Sequence, residues 1–197
     1  MRPLFLVFIT PLMLFACTGE KEKTAEPVNA EKSIFEEVKE QTVKNPKDAD
    51  AWYYLADLYE RSQMYREEVD ALQHVIAIKP EKGYAYMKLG TAYNRLGEYH
   101  NAIKQFTTAK KYLPKDPLIY NNLAVAYGKV GKTDDEIREL EKAISIRPHY
   151  ATARYNLGIA FLKKGKRELA LQQYDKLKKF DEAIANALKK EIDAKRT

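Results

Sequence analysis

Four prolines, Pro46, Pro80, Pro114 and Pro148, stand 34 residues apart. Side chains that return at one fixed step of this length confine a chain to architectures in which a small unit stacks on copies of itself. The residues between the prolines keep the step. Trp52, Tyr86 and Tyr120 correspond, as do Leu55, Leu89, Leu123 and Leu157, then Ala56, Gly90, Ala124 and Gly158, then Tyr59, Tyr93, Tyr127 and Phe161. A second set follows: Val69, Ile103, Ile137 and Leu171; Leu72, Phe106, Leu140 and Tyr174; Val75, Ala109, Ala143 and Leu177. At about 100° per residue each set gathers on one side of a helix, so every unit predicts two helices with facing apolar stripes. Gly97, Gly131 and Gly165 follow the first helix as C-terminal stops. Asp116-Pro117 predicts an N-cap with proline at the first helical position, and Thr133 with Glu136 has the spacing of a capping box. One pair of helices has too little interior to stand alone and must stack on the next.

Composition narrows the function. The chain of 197 residues has one cysteine, which excludes a disulfide framework or a cysteine-built metal cage. His74, His100 and His149 lie far apart with no ligand spacing, so no metal and no cofactor are expected. A nucleophile or acid–base set is not evident, which argues against an enzyme. Fourteen tyrosines instead suit binding surfaces. The formal net charge of +6 is concentrated at the end: residues 163 to 197 hold 11 basic and 6 acidic side chains. Such a surplus attracts acidic protein, anionic polymer or lipid headgroups, or is simply solvated. No nucleic-acid recognition motif is present, and nucleic acid is not expected as a partner.

The recurring residues resemble the tetratricopeptide repeat (TPR), whose pattern the second copy carries throughout in Tyr86, Leu89, Gly90, Tyr93, Gly97, Tyr99, Ala102, Phe106, Ala109 and Pro114. The resemblance implies an all-α fold, a right-handed superhelical solenoid of about four TPR helix–turn–helix repeats. These occupy 49–82, 83–116, 117–150 and 151–182. A flanking N-terminal helix is expected within 32–47, with Ile34, Phe35 and Val38 at helical spacing. A C-terminal capping helix is expected in 183–197, with Ile184, Ala187, Leu188 and Ile192 as its apolar stripe and Lys189, Lys190, Glu191 and Asp193 facing away. An amphipathic membrane-surface helix is the other reading of that segment. Glu68 and Glu136 replace the small alanine where a repeat's helices approach, Arg154 replaces the fourth aromatic, and Glu182 stands at the last proline position.

In such repeats the first helices line a concave groove, and the core positions fix which residues face it. The candidate partner-binding residues are Tyr53, Met87, Lys88, Arg95, Asn121, Asn122, Lys129, Tyr155 and Asn156. Asn122 and Asn156 can each donate and accept, which suits the backbone of an extended protein or peptide partner regardless of its side chains. The cations Arg61, Arg95, Lys129 and Lys163 end each first helix, where they also complement its dipole. The lysine and asparagine pattern of the co-chaperone carboxylate clamp is absent: Tyr53 with Asp57, or Met87 with Thr91, stands in its place. A different class of function is a receptor for a small hydrophobic ligand between Leu118, Val125, Ile159 and Leu162.

Ahead of the repeats, Pro3 to Gly19 carry no charge, with a dense apolar run from Leu4 to Phe15. The run is shorter than a membrane-spanning helix needs and contains Pro11, so residues 1–16 are read as a signal peptide rather than a permanent anchor. Leu14-Phe15-Ala16-Cys17 resembles the lipobox of bacterial lipoproteins, with Phe15 where the family has a small residue. The resemblance implies acylation of Cys17, a membrane contact through the N-terminal lipid, and an outer-membrane address facing the periplasm, since Thr18 is not the retaining aspartate. Two acyl chains suffice for stable anchoring. Residues 17–31 are polar and without periodicity, and are read as a tether.

Overall fold

The computed structural model describes residues 27–195. Among them there is no strand, and ten helices follow in order. A single helix α1 (Pro27–Lys44) precedes four pairs: α2 (Ala49–Arg61) with α3 (Tyr65–Ile78), α4 (Gly83–Arg95) with α5 (Tyr99–Tyr112), α6 (Pro117–Lys129) with α7 (Thr133–Ile146), and α8 (Ala151–Lys163) with α9 (Arg167–Leu177). A last helix, α10 (Glu182–Ala194), packs on both α8 and α9. Each helix packs on its neighbour in sequence, and α4 meets α6 as α6 meets α8. The protein is therefore an all-α superhelical solenoid in which the first helices of successive pairs lie side by side.

The recurring apolar residues supply the interior of each pair. Leu55, Leu72, Leu89, Phe106, Leu123, Leu140 and Leu177 are all buried. A second group seals one pair to the next: Ala85 and Ala92 join the first pair's core, Ile119 and Ala126 the second's, and Ala153 and Ala160 the third's. These residues each sit one position before a recurring large side chain of the first helix. Alanine at five of the six lets the following helix come close enough for continuous packing.

Arg154 keeps the role of the aromatic it replaces. Trp52 Nε1 donates to the Pro46 carbonyl at 3.1 Å, and the Tyr120 hydroxyl donates to the Pro114 carbonyl at 2.8 Å. The Arg154 guanidinium donates to the Pro148 carbonyl from Nε at 2.9 Å and Nη2 at 2.7 Å, and from Nη1 to Gln173 at 3.2 Å. Three chemically different side chains thus satisfy the same turn carbonyl.

The turn inside each pair needs a left-handed residue. Gly97, Gly131 and Gly165 adopt φ of 77°, 77° and 69°, and Gln63 is held at φ 58° in the first repeat. A side chain in that region costs about 1 to 2 kcal/mol, partly offset by glycine's greater freedom in the unfolded chain. Gln63→Gly is therefore expected to stabilise the protein by about 1 kcal/mol. A urea midpoint equal to or below that of the wild type contradicts this.

The ends and caps differ from the sequence reading in four respects. The first turn of α1 lies within the segment read as tether. Val38 is buried and Phe35 stacks edge-on against Tyr59 at 5.1 Å, but Ile34 is exposed, so the covering stripe is narrower. Thr133 and Glu136 form no capping box: Lys132 occupies the cap position without a side-chain bond, and Glu136 turns inward. On α10 the buried residues are Ala185, Leu188 and Ile192, with Ala187 exposed. Leu188 seats against Gly158, where an added Cβ would lie 2.6 Å from its Cδ2. In the second repeat Phe106 of the same pair fills the equivalent notch at Gly90. Thus α10 completes the fourth repeat with a residue that its own α9 does not supply.

Candidate functional site: the inner groove

Asp48 and Asp116 cap α2 and α6 through the Asp50, Ala51 and Leu118 amides at 2.9 to 3.0 Å, which fixes where the first helices begin. From there the 3.6-residue turn directs every third or fourth side chain toward the inner face. The two halves of that face are chemically different.

In the N-terminal half the candidate cations Lys88 and Arg95 are consumed within the protein. Lys88 Nζ lies 2.9 Å from Asp57 and is also bonded to Glu60, while Arg95 Nη1 lies 2.9 Å from Glu60. Burial opposes ionisation of Glu60, but the two cations outweigh it and hold its carboxyl below the ordinary range. Burial alone would lower Lys88 as well, yet Glu60 and Asp57 more than offset it and raise its pKa. Tyr53 lies beneath Lys82, whose ammonium is 4.2 Å from the ring centroid, and burial raises its hydroxyl pKa. Tyr53 and Met87 both pack partly into the cores. Lys88 and Arg95, read as ligand contacts, are thus ion-pair partners that clamp the first repeat to the second.

Beneath this network Glu68 of α3 is buried, and neither carboxylate oxygen has a hydrogen-bond partner among the described residues. Burial first, and the Glu60 charge second, push its pKa up to about 7 against the pull of Lys88 and Arg95. The equivalent acid two repeats on, Glu136, is treated differently. Gly128 leaves it room, since a Cβ there would lie 2.6 Å from its Oε1, and Lys163 Nζ donates to both of its oxygens at 3.0 Å. Glu60 occupies the place of Gly128 in the first repeat, so it captures the cation that Glu68 would otherwise meet.

The C-terminal half is open. A cleft of about 530 Å³ lies between α6, α8 and α10, lined by Val125, Gly128, Lys129, Glu136, Tyr155, Asn156, Ile159, Lys163 and Glu191. At its edge three asparagines are linked: Asn156 Nδ2 donates to Asn121 Oδ1 at 3.0 Å, and Asn121 Nδ2 donates to Asn122 Oδ1 at 3.4 Å. Asn121 is buried at the centre of this chain, whereas Asn122 and Asn156 are half-buried. Among the described residues Asn122 retains its two amide hydrogens, and Asn156 its carbonyl and one hydrogen, so both kinds of backbone group can be met there.

The structure brings together Asn121, Asn122, Lys129, Tyr155 and Asn156 and separates them from Tyr53, Met87, Lys88 and Arg95. Glu136 and Glu191 are groove residues that the sequence reading does not include. The first has a visible signal, because an acid in a small-residue position needs both space and a cation, and Gly128 and Lys163 stand in the register to give them. The apolar cleft expected from Leu118, Val125, Ile159 and Leu162 does not form: Leu162 is buried in the core, and Leu118 lines a separate cavity with Tyr84 and Tyr112. Cys17 lies outside the described residues. Among the described residues no group of His, Cys, Asp and Glu is placed to hold a metal ion, and no helix is long and apolar enough to cross a membrane.

Family models described as tetratricopeptide repeat or TPR repeat match residues 50–81, 90–131 and 121–187. No curated protein sequence matches the chain. Among solved structures, a crystal structure of MamA superposes with a TM-score of 0.72 at 20% identity, over 84% of this chain and 96% of the other. The structure titled "Crystal structure of YrrB: a TPR protein with an unusual peptide-binding site" gives 0.73 at 23% identity, over 83% and 85%. A thermophilic TPR protein in Thermus thermophilus gives 0.61 at 19% identity, over 85% and 91%. Matched by these models and sharing this fold, the chain is a protein of tetratricopeptide repeats.

Proposed function

We propose that the protein is a membrane-tethered interaction scaffold that grips an extended peptide or protein segment in the C-terminal half of its groove and takes part in assembly of envelope complexes. One observation carries the reading: the linked asparagines present unused amide groups beside an open cleft, where a strand's backbone finds both donors and acceptors without reference to its sequence. Tyr155 and Ile159 beside them supply rigid apolar area. The peptide-binding site named for YrrB is a precedent on the same fold. Asn122→Ala combined with Asn156→Ala is expected to weaken partner capture about tenfold or more, on the scale of one to two lost hydrogen bonds, with helicity unchanged by circular dichroism. Undiminished pull-down by the double variant moves the binding site elsewhere.

The tethering half of the proposal rests on Leu14-Phe15-Ala16-Cys17 and the polar stretch behind it. Acylated Cys17 would anchor the repeats at the outer membrane, on its periplasmic side. Cys17→Ser is expected to shift the protein from the membrane fraction to the soluble one. Retention of the variant on membranes after a carbonate wash contradicts a lipid anchor.

A further inference from the structure

We propose that the cleft between α6, α8 and α10 reads a bipolar peptide, placing an acidic group at Lys129, an apolar side chain over Val125 and Ile159, and a basic side chain at Glu191. This rests on the groove reading above and adds the chemistry of the partner.

The repeat register isolates Lys129. Cations end α4, α6 and α8 as Arg95, Lys129 and Lys163. Arg95 is neutralised by Glu60 and Lys163 by Glu136, each an acid of the preceding repeat. The two positions in the second repeat that would serve Lys129 in the same way are Asn94 and Ala102, neither of them acidic. Lys129 is exposed on the cleft wall and has no ion-pair partner among the described residues.

Glu191 is the counterpart. It projects into the same cleft from α10, is exposed, and also has no ion-pair partner among the described residues, although Lys189 and Arg167 both bind Asp193 two positions away. The remaining charges of the cleft, Glu136 and Lys163, cancel each other. What is left is a positive wall from α6, a neutral floor of Tyr155, Asn156 and Ile159 from α8, and a negative wall from α10. The order of these helices fixes the polarity. A strand laid across them meets a cation, then apolar and amide groups, then an anion, and a peptide with its charges in the reversed order is disfavoured at both ends.

The test uses the full chain and synthetic peptides of serine, alanine and valine, acetylated and amidated, that carry one Asp and one Lys at graded spacings in both orders. Control peptides replace Asp by Asn or Lys by Gln, and one arm replaces the Asp by a free C-terminal carboxylate to separate a side chain from a chain end. Binding is read by fluorescence polarisation. A bipolar peptide is expected to lose about tenfold in affinity when either charge is neutralised, the scale of one charge-assisted contact. Lys129→Glu combined with Glu191→Lys is expected to reverse the preferred charge order. Neutral peptides that bind as tightly, or an order preference that the exchange leaves intact, overturn the proposal. If charge-indifferent binding is still lost in Asn122→Ala with Asn156→Ala, the groove stands and the bipolar reading falls. If binding follows the charge exchange but ignores the asparagine pair, the cleft and its charge order stand and the asparagine contacts fall. If no peptide binds, both fall.

Discussion

Truncating Leu123 to alanine should cost about 2 to 5 kcal/mol, because a fully buried leucine side chain is lost and the cavity it leaves is only partly refilled. Leu123 is the central residue of α6 and belongs to the cluster that joins Phe106 and Ala109 of the second repeat to Ile119 and Ala126 of the third. Its loss therefore weakens both a helix pair and a seam. In a solenoid each pair is supported only by its neighbours, so the damage should spread as earlier and broader unfolding rather than as a local defect. Denaturant titration followed by circular dichroism measures it, and a midpoint indistinguishable from wild type contradicts the packing. Leu118→Ala, in the same helix but exposed, is the matched control and should change little.

A second large effect should appear at Glu68 and depend on pH. The folded protein holds this carboxyl at a pKa of about 7, above the 4.5 of an ordinary glutamate. The native state therefore keeps a proton that the unfolded chain releases, so the contribution is fully present below about pH 4.5 and is lost as pH rises through about 7. Glu68→Gln removes the titrating group while keeping its shape. The variant should gain on the wild type as pH rises, by about 1 to 3 kcal/mol at pH 8 against little at pH 5. Asp57 and Glu60 on α2, and Lys88 and Arg95 on α4, are the charged groups that act on this carboxyl, and they are present in both proteins. A stability difference that is the same at both pH values contradicts a buried, unpartnered acid.

Glu68 and Glu136 also show where the sequence ceases to be legible. The fold follows from the period alone: Leu89, Phe106 and Leu140 recur because each must fill the same space, and space repeats with the chain. Charge does not repeat in that way. Whether an acid meets a cation depends on the residue eight positions earlier, glutamate at Glu60 and glycine at Gly128, and on a lysine or arginine one helix pair further on. Such pairings join residues 27 to 35 apart, as in Lys88 with Glu60, Lys163 with Glu136 and Asn156 with Asn121. They appear only when the first helices are laid side by side. For the same reason Lys88 and Arg95 look like free groove cations in the sequence and are ion-paired in the fold, whereas Lys129, alike in sequence, has no such partner among the described residues. Arg154 is a milder case: its identity breaks the aromatic pattern, yet its donors reach the carbonyl that tryptophan and tyrosine reach in other repeats.

The proposed partner is held on the inner face of the solenoid. A photo-crosslinking phenylalanine analogue placed at Tyr155, in the cleft, and separately at Glu141, which lines the outer cavity with Ile144 and Gln172, puts it to the test in living cells. A discrete crosslinked partner is expected from position 155 and should disappear in the Asn122→Ala, Asn156→Ala background, with none from position 141. Crosslinking from position 141 with none from 155 would place the partner on the opposite surface and contradict it.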